Sequence, residues 1–252
     1  MNQAEVLMDL HDVMEQLEAM ADAERASVAQ KYFKTGPGDY AEGDRFRGIR
    51  MPTLRSFARK LDPLPMESVI ELLHSAFHED RMVALLLLIR RYGQADETGR
   101  NSIFNLYLAN TAHHINNWDL VDVSAPLIVG QHLLERHRSP LYTLATSTVL
   151  WERRIAIVAT FCFIRQDDYT DTLILAAMLL QDKEDLLHKA TGWMLREVGK
   201  RNQQQLEAFL HQHHANMPRV MLRYAIERFP ASLRKAWLNG TMRENGSSLT
   251  NE

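Results

Sequence analysis

The sequence predicts an all-α fold built from helical repeats, and three observations carry that reading. Apolar residues recur at helical spacing along nearly the whole chain. No window of five or more residues shows clean alternation of period two. The 11 glycines and 8 prolines are too few to turn a β-sandwich of 252 residues. Apolar residues make up 46% and charged residues 24%, an ordinary globular balance that excludes a disordered chain. Cys162 is the one cysteine, so an intramolecular disulfide and a cysteine-based metal cluster are both excluded. The start, Met1-Asn2-Gln3-Ala4-Glu5, has neither a basic nor an apolar signal region. The longest apolar runs, Met82 to Ile89 and Ile155 to Ile164, fall well short of the roughly 20 residues that span a bilayer. The expectation is a soluble, cytoplasmic protein.

The elements follow in order. Leu7, Leu10, Met14, Leu17 and Met20 mark a first helix. Thr35-Gly36-Pro37-Gly38-Asp39-Tyr40-Ala41-Glu42-Gly43 lacks the Gly-Lys-Ser/Thr ending of a P-loop and reads as the connection to a second helix. Pro52 starts that helix, and Leu54, Phe57, Ala58 and Leu61 form its stripe. Met66 to Leu73 pairs with Met82 to Tyr92, and Ile103 to Leu108 pairs with Trp118 to Leu134. Pro126 should kink or split the last of these. Ser139-Pro140 reads as cap plus first turn of a short helix before Trp151 to Ile164. Thr172 to Leu180 with Leu186 to Val198, then Leu206 to Leu210 with Val220 to Phe229, complete the pairs. One domain is expected over residues 1–238, with a flexible tail over 239–252.

The second helices recur. Arg81-Met82-Val83-Ala84, Arg153-Arg154-Ile155-Ala156, His188-Lys189-Ala190 and Arg219-Val220-Met221 align with Ala84, Ala156, Ala190 and Met221 in one register. The midpoint of the first, double-length gap falls at Leu120. A helix pair repeating every 31 to 36 residues is a solenoid signature. The Trp, Gly and Pro pattern of tetratricopeptide repeats is absent, which leaves irregular HEAT-like repeats. In a solenoid of that kind, residues near the start of each second helix share a concave wall. Trp118, Arg154, His188 and Arg219 are the residues so placed.

The formal net charge of -3 hides a pattern. Residues 1–30 are acidic. Residues 31–60 carry Lys31, Lys34, Arg45, Arg47, Arg50, Arg55, Arg59 and Lys60. Near the C-terminus, Arg219, Arg223, Arg228, Arg234 and Lys235 lie close together. Such asymmetry is the footprint of an anionic partner, and it is equally the mark of a solvated helix surface.

Individual residues carry the same two readings. Trp118 and Asp122 sit four apart, on one helix face. Asn117 can cap that helix, and the macrodipole accounts for Asp119 in its first turn, but not for Asp122. A core Trp beside a paired carboxylate is the plainer account of the same spacing. Arg154 falls inside the apolar stripe Trp151, Ile155, Val158 and Cys162 and therefore needs a partner, either Asp122 or a bound phosphate. Trp193 lies off the stripe of its helix among Lys189, Arg196 and Glu197, as a ligand-contacting aromatic or as a cover for the next repeat. His211, His213 and His214 read as an exposed helix end rather than a metal site, and Cys162 as inert core.

These residues sit in segments that resemble the AlkD-like family of DNA alkylation repair proteins, built of HEAT-like repeats. The matching stretches are Tyr32-Phe33-Lys34 with Gly48-Ile49-Arg50-Met51-Pro52, Asn117-Trp118-Asp119-Leu120-Val121-Asp122, Leu150-Trp151-Glu152-Arg153-Arg154-Ile155-Ala156, Lys189-Ala190-Thr191-Gly192-Trp193-Met194-Leu195-Arg196-Glu197, and Met217-Pro218-Arg219 with Leu222-Arg223-Tyr224-Ala225. The resemblance spans roughly residues 25–230. It implies a monofunctional DNA glycosylase that removes cationic N3- or N7-alkylated purines from duplex DNA, without a cofactor or metal, and working as a monomer. It implies that Trp118 and Trp193 contact the lesion's deoxyribose, that Asp122 is the catalytic carboxylate, and that Arg154 holds backbone phosphate. Lys34, Arg50, Lys189, Arg219 and Arg223 are the further DNA-binding candidates. Two alternatives stand beside it: a non-catalytic repeat protein that binds branched or damaged DNA, and a protein-binding scaffold.

Overall fold

A computed structural model describes residues 9–61 and 64–241. Among them the secondary structure is helical, with no strand and an isolated bridge between Arg45 and Phe77. Leu7 of the expected first helix and residues 242–252 of the expected tail lie outside the described residues. The chain divides into two compact units at Ile128–Val129.

The first unit holds α1 (Leu10–Ala19), α2 (Ala23–Tyr32), α3 (Met51–Ala58), α4 (Met66–Leu73), α5 (His78–Gln94), α6 (Glu97–Ala109) and α7 (Trp118–Ser124). Its centre is α5, which packs on α3, α4, α6 and α7. Val83, Leu85, Leu87 and Leu88 of α5 are fully buried, with Val69, Leu72 and Leu73 of α4. Helix α2 is a correction, because the Gly-rich stretch does not follow α1 directly. Ala23–Tyr32 buries no residue and so carries no apolar stripe to read. Its one local signal is Asp22, whose side chain accepts the Arg25 N–H as an N-cap.

The second unit holds α8 (Gln131–Leu133), α9 (Ser139–Ala145), α10 (Leu150–Ala159), α11 (Phe161–Ile164), α12 (Thr170–Met178), α13 (Asp185–Arg201), α14 (Gln203–His213), α15 (Arg219–Ala225) and α16 (Ala231–Asn239). Here α13 is central and packs on α10, α11, α12, α14 and α15. The approach of α13 to α15 requires Gly192. A Cβ there would lie 2.5 Å from the Met221 carbonyl oxygen and 2.6 Å from Tyr224 Cβ. Pro126 does split its helix: a π-helical turn, Pro126–Gly130, separates α7 from α8. Ser139 is not a cap. Arg138 holds the N-cap position of α9 and no side-chain bond closes it. The histidine cluster is also corrected. His211 and His214 are not a bare helix end, since their rings lie 4.8 and 5.3 Å from the buried Trp237 ring of α16.

The repeat is visible atom by atom. Ser75, Ser147 and Asp182 each accept, on the side chain, the backbone N–H two residues on, at Phe77, Val149 and Glu184. Those three residues are the N-caps of α5, α10 and α13. The carbonyls of Ser75, Ser147 and Asp182 then accept from Arg81, Arg153 and His188, each six residues later. The device recurs at intervals of 72 and 35 residues. It keeps Ala84 and Ala156 in register and pairs them with Thr191, one position beyond the expected Ala190. All four are buried, as are Leu120 and Met221.

Candidate functional site

In the first unit, the site is built on the start of α7. Asn117 caps it, its side-chain oxygen accepting the Trp118 N–H at 2.8 Å. Asp119, in the first turn, meets His78 Nε2 at 2.9 Å. His78 is 3% exposed and also faces Asp44, which pairs with Arg81 at 2.8 Å. Burial opposes a charge on His78, but the Asp119 carboxylate and the Asp44 bond outweigh it and push the imidazole up to about 9. Burial likewise works against the Asp44 carboxylate, yet His78 and Arg81 hold it below the usual range. Asp119 is thus committed to His78, by an ion pair as well as by the macrodipole.

Trp118 is held by rings. It stacks on Phe33 at 5.3 Å and 20°, and Phe33 stacks in turn on Phe46 at 5.0 Å. Tyr32, 65% exposed, meets Trp118 edge-on at 6.1 Å. The Trp118 side chain also hydrogen-bonds Tyr40, from the Gly-rich stretch. Trp118 therefore remains half-exposed with its plane fixed. Asp122 follows one turn later on the same face, also half-exposed. Its charge reaches the buried Tyr107 phenol, which is raised first by burial and further by Asp122.

The stretch Gly48-Ile49-Arg50 is tied down from α5. Glu79 accepts the backbone N–H groups of Arg47, Gly48 and Ile49 at 2.8, 2.8 and 3.2 Å. Arg47 is buried across Asp80 at 2.7 Å and over the Phe77 ring at 3.9 Å. Gly48 needs φ +80°, and a Cβ there would strike the Asp22 carbonyl oxygen at 2.3 Å. Arg50 emerges exposed at the N-cap of α3, and Lys34 is exposed with a φ of 54°. Sequence reasoning missed Tyr40, His78, Glu79 and Asp80. The last three have one legible signal, the run His78-Glu79-Asp80-Arg81 at the head of α5, and Tyr40 has none.

In the second unit, Arg154 of α10 is 5% exposed and donates to the Leu186 carbonyl. A backbone carbonyl, which is neither Asp122 nor a phosphate, thus meets part of the need that its place in the apolar stripe creates. Trp193 of α13 is half-buried, donates to Glu197 Oε1 at 3.2 Å and lies 6.0 Å from the Phe161 ring. Lys189 pairs with Asp185 on its own helix at 2.6 Å. Arg219 and Arg223 are exposed along α15. Cys162 is buried, and burial pushes its thiol up, as an inert core residue requires.

The model of one family, described as DNA alkylation repair enzyme, matches residues 13–229. The chain belongs to the DNA alkylation repair enzyme family. A solved structure, a predicted DNA alkylation repair enzyme from Enterococcus faecalis, is similar in fold, with a TM-score of 0.65 at 17% identity. The likeness covers 84% of this chain and 98% of that one. Among curated proteins, none matches this chain. Family membership assigns the chain an enzymatic role in the repair of alkylated DNA. The match runs from within α1 through α15 and stops short of α16. Among the described residues, no helix is long and apolar enough to cross a membrane.

Proposed function

We propose that this family member is a monofunctional DNA glycosylase of base excision repair, acting as a cytoplasmic monomer without a cofactor or metal. Its substrates are duplex DNA carrying N3- or N7-alkylated purines. Alkylation there leaves the purine cationic, so the base departs without a general acid. The C1′–N bond breaks, its electron pair neutralises the purine, and a water oxygen bonds C1′ while losing a proton. Asp122 stabilises the oxocarbenium-like sugar cation and orients that water, as carboxylates do in glycoside hydrolysis. Trp118 and Trp193 offer indole faces to the same developing charge at the deoxyribose. Arg154, Lys34, Arg50, Lys189, Arg219 and Arg223 contact backbone phosphates.

The observation that carries this reading is the division of labour on α7. Asp119 is taken up by His78, and Trp118 is clamped by Phe33 and Tyr40. Asp122 stands half-exposed one turn beyond, on the Trp118 face. The test is single-turnover incubation with duplex containing 7-methylguanine or 3-methyladenine, with detection of free base. Release of either base is the expected outcome, and release from neither rejects the glycosylase.

One observation favours a second reading, a protein-binding scaffold. Arg154 is buried and bonded to the Leu186 carbonyl, as a structural residue would be. On the glycosylase reading, Arg154→Ala folds, binds duplex more weakly and excises more slowly. If instead it unfolds, and an apolar replacement of Arg154 together with a carboxylate restores stability, Arg154 is structural.

A further inference from the structure

In the second unit, α15 and α16 enclose a hollow of about 410 Å³ with an unusual lining. Arg219 and Arg223 come from α15, and Arg234 and Lys235 from α16. Glu227 is the one carboxylate in the lining, and it is already engaged by Arg196 of α13. Four cations therefore face one space with a single carboxylate, which Arg196 shares. Two of them are partly committed: Arg219 donates to the Leu238 carbonyl and Arg234 to the Glu227 carbonyl at 3.4 Å. Both acceptors are neutral backbone, so neither bond cancels a charge, and four cations share the lining with one carboxylate. Among the described residues Arg223 and Lys235 show no partner, and all four cations are exposed.

The hollow is held in place from beneath. Trp237, 1% exposed, seats α16 against the rings of His211 and His214. Met221, Leu222 and Ala225 bury the opposite face of α15. Two rigid elements thus present guanidinium and ammonium groups from two sides. Mutual repulsion of four cations in one concavity is relieved by an anion with several acceptor oxygens, and guanidinium forks match phosphate oxygens in geometry. The family match ends at residue 229, so Arg234 and Lys235 lie outside the matched residues.

We propose that the α15–α16 hollow is a cradle for the phosphodiester backbone of DNA, with Arg234 and Lys235 of α16 adding phosphate contacts to those of Arg219 and Arg223. This inference rests on the DNA-binding part of the proposed function and not on excision. The test uses the full chain and the double variant Arg234→Gln with Lys235→Gln, which keeps side-chain length and removes two exposed charges. Binding to an unmodified 16-base-pair duplex is measured between 50 and 200 mM KCl. Each phosphate contact contributes about 0.9 to the slope of log affinity against log salt. The slope should fall by about one to two units and affinity at low salt by about tenfold or more. Arg59→Gln with Lys60→Gln removes the same charge from the first unit, and its slope should stay near the wild type. An unchanged slope in the α16 variant, or an equal fall in the control pair, overturns the cradle. Release of 7-methylguanine is followed in parallel at saturating protein. If the wild type releases no base while the α16 slope falls, the glycosylase fails and the cradle stands. If base is released and the slope holds, the reverse is true. A wild type that binds no duplex overturns both.

Discussion

Two carboxylates three residues apart on α7 do different work, and their partners separate them. Asp119 points to a charged, buried His78 at 2.9 Å and is taken up by that ion pair. Asp122 shares the exposed face of Trp118. Asp122→Asn keeps the shape and removes the charge. Excision of 7-methylguanine should fall by about a hundredfold or more, since one aligned electrostatic group commonly contributes about 3 kcal/mol at a transition state. Affinity for intact duplex should hold or tighten, because the carboxylate repels phosphates before reaction. Single-turnover release with a parallel melt measures both, and a folded variant excising at the wild-type rate removes Asp122 from the chemistry. The spacing of Trp118 and Asp122 was legible because it is local. The contacts of Phe33 and Tyr40 with Trp118 and of His78 with Asp119 were not, since each joins residues more than 40 apart that no helical period links, except through the resemblance that flagged Tyr32-Phe33-Lys34.

At the level of elements, apolar stripes predicted the central helices α5, α10 and α13, the Ser139-Pro140 pair marked α9, and α4 falls on its expected bounds, Met66–Leu73. Helix α2 has no stripe, because it buries no residue. Helix α16 escaped notice because Trp237 is its one buried residue, and a single anchor makes no period. The repeat was read from small apolar residues, yet its sharper mark is polar: Ser75, Ser147 and Asp182, each followed six residues on by Arg81, Arg153 and His188. The polar head of α5 also fixes the loop before α3, through Glu79 and three backbone N–H groups. Gly48→Ala tests that junction. Its φ of +80° and the Asp22 carbonyl 2.3 Å from the new Cβ both oppose the substitution. A loss of about 2 kcal/mol or more is expected, read as a lower urea midpoint at unchanged slope. A midpoint within error of wild type would mean that the loop yields freely.

Across the whole molecule, average charge says little, because acids and bases are sorted by position. Several acids are paired inside each unit, as Asp44 and Asp80 are in the first and Asp171 and Asp182 in the second. Exposed cations such as Arg50 and Arg223 are left facing outward. Buried pairs of this kind make stability depend on pH, and His78 sets the alkaline side. Its imidazole is raised from an ordinary 6.5 to about 9 in the folded chain by Asp119 and Asp44, against the effect of burial. A group with a raised folded pKa binds its proton more tightly when folded. Its contribution is therefore complete below about 6.5 and is lost as pH climbs through about 9. Asp44 has the opposite sign, contributing above its ordinary 3.8 and failing as pH drops through its lowered value. The melting temperature should therefore hold between those limits and fall steadily from near pH 7 to pH 9. His78→Gln should melt lower at pH 6 and show a flatter decline over the same alkaline range, converging toward the wild type at pH 9. Thermal melts in matched ionic strength decide it. If the wild type and His78→Gln decline in parallel between pH 7 and 9, His78 does not carry its charge in the folded protein, and the α7 site is held by its rings alone.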